Sequence, residues 1–92
     1  MKITVTSTSQ TLSQLLSAED YAIIKGYFTT QGGGIFHNAW LNRVYIETGK
    51  AATATDSYYI DPGEDLSVGF FQDIKATQFK TPSGTSDLLM LF

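Results

Sequence analysis

Apolar and polar residues alternate with a period of two in several short stretches, each closed by Gly, Pro, Ser or Asp. Ile3-Thr4-Val5-Thr6 alternates apolar and hydroxyl side chains, as a half-buried strand does. Residues 9–17 read differently. Leu12, Leu15 and Leu16 stand at i, i+3 and i+4, which suits one or two helical turns capped by Ser9. Residues 21–30 are dense in β-branched and aromatic side chains and read as a long strand, with a bulge or kink at Gly26. Gly32-Gly33-Gly34 is a flexible turn. Residues 40–48 give the clearest strand, with Val44 and Ile46 on one face and Arg43, Tyr45 and Glu47 on the other.

The second half continues in the same manner. Residues 49–57 are small and polar, a surface loop, and Tyr58-Tyr59-Ile60 opens another strand. In Asp61-Pro62-Gly63-Glu64, Pro62 presets φ and Gly63 supplies a positive φ, the chemistry of a type II turn. Leu66, Val68 and Phe70 then alternate with Ser67, Gly69 and Phe71. Residues 73–80 read as a single turn followed by a strand through Phe79, and Thr81-Pro82-Ser83-Gly84 favours a type I turn. Residues 88–92 are apolar on both faces, so that strand is either central in a sheet covered on both sides or covered by a partner chain. The pattern predicts an all-β chain: one domain over residues 1–92, a β-sandwich or jelly-roll-like barrel of about seven to eight short strands with one short helical turn.

Composition narrows what such a domain can do. Only 16% of the 92 residues are charged, below the ~25% of an average soluble domain, and Thr, Ser, Gln and Gly fill the difference. A surface of hydroxyls and amides packs readily against other protein. The net charge is −3 and the six basic residues form no run, which argues against nucleic-acid binding. The chain has no cysteine, hence no disulfide framework, thiolate metal site or cysteine nucleophile. The first residues lack the apolar run of a signal peptide, and no stretch approaches the ~20 residues of a membrane span. Synthesis in the cytoplasm, with no membrane partner, is the expectation.

Candidate chemistry is sparse. His37 is the only histidine, and a cupin-like metal site needs several in concert, so a packing or loop histidine is expected. The glycines at 32–34 lack the Lys-Ser/Thr that completes a phosphate loop. Asp56, Asp61, Glu64 and Asp65 are the one acidic cluster. They could contribute to a weak calcium site, but Asp is also a favoured turn residue. No nucleophile-elbow signature accompanies the serines. The expectation is therefore no enzyme, no metal and no cofactor. The aromatics carry more information. Trp40, Tyr45, Tyr58 and Tyr59 are the candidate interface residues, since strand neighbours alternate faces and exposed Trp and Tyr are enriched in protein contacts.

The order of these parts resembles small virion proteins of tailed bacteriophages. The matching stretches are Ile3-Thr4-Val5-Thr6, Leu12-Ser13-Gln14-Leu15-Leu16, Arg43-Val44-Tyr45-Ile46-Glu47-Thr48-Gly49, Tyr59-Ile60-Asp61-Pro62-Gly63-Glu64-Asp65-Leu66 and Leu88-Leu89-Met90-Leu91-Phe92. The resemblance implies a structural protein of a phage particle, of the capsid decoration (cement) or head/tail accessory type. Its partners would be capsid or tail proteins of the same particle, and its place the virion. The two-faced apolar strand 88–92, in a chain without cysteine staples, adds the expectation of a homo-oligomer, trimer or higher. The competing class is a carbohydrate- or receptor-binding sandwich that uses the same exposed aromatics.

Overall fold

The computed structural model describes residues 1–31, 33–68 and 75–91. Eight strands, β1 (Lys2–Val5), β2 (Gln10–Thr11), β3 (Gly34–Trp40), β4 (Val44–Thr48), β5 (Tyr58–Ile60), β6 (Asp65–Val68), β7 (Thr77–Lys80) and β8 (Ser86–Leu91), form two antiparallel sheets. The first sheet runs β1-β8-β3-β6 and the second β2-β7-β4-β5. That order has a simple origin. β1 pairs with β8, β2 with β7, β3 with β6 and β4 with β5, so the chain is one long hairpin with residues 49–57 at its tip. Rolling the hairpin adds the β3·β8 and β4·β7 pairs and divides it between two sheets. This is the eight-stranded jelly roll, and the all-β sandwich expected from the alternation is what forms.

Alternate residues of each strand supply the core. Ile3 and Val5, Phe36, and Leu88 and Met90 point inward from the first sheet; Val44 and Ile46, Ile60 and Phe79 do so from the second. Phe36 and Phe79 meet across the sandwich with ring centroids 5.6 Å apart. A fully buried aromatic at such a site is worth about 3–5 kcal/mol against Ala.

Three local expectations are corrected. The most substantial concerns residues 21–30, which are helical. Helix α2 (Ala18–Gln31) links the second sheet to the first and follows the short α1 (Leu12–Leu15). The hydroxyl of Ser17 accepts from the Asp20 N–H, and Glu19 and Asp20 sit favourably in the first turn. Tyr21, Ile24 and Phe28 put one face of the helix against the core, with Ile24 and Phe28 fully covered. Gly26 is thus a mid-helix residue and not a strand bulge. The single helical turn foreseen is accordingly two helices.

The N-cap of α1 is Thr11, whose N–H donates to the Gln14 side chain, while Ser9 hydrogen-bonds Gln78 instead. Finally, residues 40–48 are not one strand. β3 ends at Trp40 and β4 begins at Val44, because the intervening residues carry the chain from the first sheet to the second. Asn42 holds that crossing: its side chain donates to the carbonyls of Ser83 and Thr85.

The turn at 61–64 forms as its residues require. The Glu64 N–H donates to the Asp61 carbonyl at 2.9 Å, and Gly63 holds φ at +91°. Strand β8 is central, between β1 and β3, with Leu88 and Met90 buried on its inner face and Leu89 half-buried on its outer one. Expectations for Gly32, residues 69–74 and Phe92 lie outside the described residues.

Candidate functional site

The four candidate aromatics fall in three places. On the outer face of the second sheet, Tyr45 lies opposite Tyr59 on β5 and Lys80 on β7. Tyr45 does point away from Val44 and Ile46, as alternation requires, yet it is only 8% exposed. Tyr59 covers it edge-on, with centroids 6.3 Å apart. Arg43 closes the group. Its guanidinium grips Asp61 through Nε at 2.6 Å and a second nitrogen at 3.2 Å, and it lies 3.8 Å above the Tyr59 ring. The Asp61 hydrogen bonds push the Arg43 pKa further up, so the charge is permanent. One face of Tyr59 is therefore occupied and Tyr45 is enclosed. The expectation that Tyr45 is an outward anchor is corrected: it is a packing residue.

Tyr58 stands elsewhere. It pairs with Ile46 on the inner side of the edge strand β5, where the sandwich is open, and remains 62% exposed.

Trp40 is on the other sheet. From Phe36 and Asn38, both inward and fully buried, plain alternation would send residue 40 inward too. A register shift intervenes. Asn38 pairs with Leu88 and Trp40 with Asp87, so Ala39 is the extra residue of a β-bulge. Asp87 lies on the outer face, where its carboxylate accepts from the Thr4 hydroxyl, and the bulge brings Trp40 to that face, 64% exposed. Leu41 follows it, also exposed. The bulge is held from within: the Asn38 amide donates to the carbonyls of Asn42 and Ile60 and accepts from the Ser86 hydroxyl.

The outer face of the first sheet therefore has a distinct character. One row across it reads Lys2, Leu89, His37, Asp65, each directly opposite the next. Beside that row stand Ile35, exposed, and at the far end Trp40. His37 Nδ1 lies 2.5 Å from an Asp65 oxygen, directly across the β3–β6 pair. No helix covers this face at Lys2, Thr4, Ile35, Asp65 or Ser67, all of which are exposed.

The acidic residues are dispersed among separate tasks. Asp61 holds Arg43, Glu64 accepts from the Asp61 backbone N–H, and Asp65 pairs with His37. Among the described residues, no three His, Asp or Glu side chains converge as metal ligands.

Comparison with protein-family models, characterised proteins and solved structures finds no match.

Proposed function

We propose that this chain is a non-enzymatic structural protein of a bacteriophage particle, of the decoration or head/tail accessory type, that works by protein–protein contact. The observation that carries the reading is Trp40. A bulge and a fully hydrogen-bonded buried amide hold this large aromatic in solvent, one register step from Leu89 and followed by exposed Leu41, on a sheet face whose other end carries exposed Ile35. Apolar anchors ringed by polar residues are the usual make-up of an interface core. The succession of strands and turns that resembles small phage virion proteins supplies the setting, and the low charge density suits a surface that is to be covered.

The experiment adds purified variants to particles lacking this protein and measures occupancy at low and high salt. Trp40→Ala should weaken binding by about 2 kcal/mol or more at both salts, as for a hot-spot aromatic. Lys50→Ala should matter by under ~1 kcal/mol, since exposed charges are screened. Occupancy that depends on salt and ignores Trp40 defeats the proposal. Retention of Trp40-dependent binding by free sugars, with none to particles, favours the carbohydrate-binding class instead.

A further inference from the structure

We infer that a second copy of this chain covers the outer face of the first sheet, related to the first by a two-fold axis running along the strands between β8 and β3. The inference deepens the reading of this face as a protein-contact surface, and rests on it.

The argument starts from the row Lys2–Leu89–His37–Asp65. Its charged ends lie on the two edge strands, β1 and β6. Three inter-strand spacings separate them, about 14 Å, too far for a direct pair and beyond the ~8 Å screening length in physiological salt. Lys2 has no ion-pair partner among the described residues, and Asp65 uses one oxygen on His37.

Two sheet faces can meet about a two-fold axis only if that axis lies in the plane between them. An axis along the strands reverses the order of the row in the partner. Lys2 then stands over the partner copy's Asp65, and Asp65 over its Lys2, so one operation satisfies both charges twice. The two inner positions, Leu89 and His37, exchange in the same way and bury the Leu89 side chain. At the bulge, Trp40 comes to rest over the position of Asp87 and Thr4 in the other copy, giving its indole N–H a carboxylate to meet. Aligned sheets pack at about −30°, which offsets the edges of the row by a few ångströms. A lysine side chain spans that offset.

The extent of the face sets the strength. Four strands by four or five residues bury roughly 800 Å² in total, below the ~1,200 Å² of stable complexes. The pair is accordingly weak and transient. It becomes substantial where copies are concentrated side by side on a particle.

Sedimentation equilibrium from about 10 µM to 1 mM tests this, and should give a monomer–dimer equilibrium. Lys2→Glu and Asp65→Lys each place two like-charge pairs in the interface, and each should weaken self-association about tenfold or more. An equimolar mixture of the two variants should dimerise again to within about threefold of the parent, because every facing pair is then of opposite sign. Since Asp65→Lys also removes the His37 partner, a second measurement uses the absence of cysteine. Lys2→Cys mixed with Asp65→Cys should be joined by a bis-maleimide of about 10 Å span, which matches the spacing of packed sheets, while Lys2→Cys alone should not, its symmetry mate lying about 14 Å further along the row. A chain that stays monomeric throughout, a trimer, or cross-linking of Lys2→Cys to itself overturns the inference. Loss of particle occupancy in Trp40→Ala with a monomeric parent sinks the pair but not the proposed function. A confirmed pair with occupancy indifferent to Trp40 does the reverse.

Discussion

An alanine at position 63 would have to hold φ near +91°, where a Cβ is strained whatever the space around it. At Gly26 no such demand exists. It lies within α2, and an added Cβ would meet no atom within 4 Å. The same substitution should therefore act with opposite sign. Gly63→Ala should cost about 1–2 kcal/mol, and Gly26→Ala should add about 0.8–1 kcal/mol of helix propensity. For a domain of this size about 1 kcal/mol moves the melting temperature by about 4–8 °C, so calorimetry separates the two. A fall in both would mean that α2 does not form in solution. The aromatics teach the same lesson of context. Tyr45 and Trp40 both belong to a stretch that alternates well, yet the first is enclosed by Tyr59 and the second is fully presented. Alternation correctly gives the side of the sheet on which Tyr45 lies. It says nothing about a neighbouring strand's side chain leaning across, and nothing about an extra residue in a bulge.

Between residue and fold stand the elements, and at one end of the sandwich three connections are stitched by polar groups. Asn38, Asn42 and Ser86 join the crossing at 41–43 to β5 and to the 81–85 turn. Replacing Asn38 with Leu leaves the Ile60 carbonyl and the Ser86 hydroxyl without this partner in a buried place. Each such group costs about 1–3 kcal/mol, so Asn38→Leu should lose about 3 kcal/mol in urea denaturation at unchanged m-value. A neutral result would mean that water replaces the amide. How much of this was legible follows from what each signal measures. The type II turn at 61–64 was readable because Pro62 and Gly63 fix local backbone angles whatever surrounds them. Strands β1 and β4 showed in their period-two patterns, and β8 in its short unbroken apolar run. Helix α2 was misread because Tyr21, Ile23, Ile24, Tyr27 and Phe28 weigh heavily in any strand propensity. The cap at Ser17, with Glu19 and Asp20 behind it, was the competing signal, and Tyr21, Ile24 and Phe28 recur at helical spacing. The break at 41–43 left no local mark, since Asn42 finds its partners about forty residues away.

At the scale of the whole molecule, packing and hydrogen bonds between the sheets carry stability, and the carboxylates near the 61–64 turn are each engaged on their own. Melting curves with and without a chelator should therefore coincide; a drop of several degrees with chelator would reveal a calcium requirement in the 56–65 region. The rolled-hairpin arrangement also governs how the protein is made. Strand β8 lies between β1 and β3, so the middle of the first sheet is completed by the segment that the ribosome delivers after all seven other strands. At about 5–20 residues per second, β1 waits roughly 4–17 s for its partner. Through that interval one long edge of β3 and the edge by which β1 pairs with β8 lack their partner. Cooler, slower expression lengthens the exposure while weakening hydrophobic association. Yield in soluble form should thus respond more to nascent-chain crowding than to the stability of the finished domain.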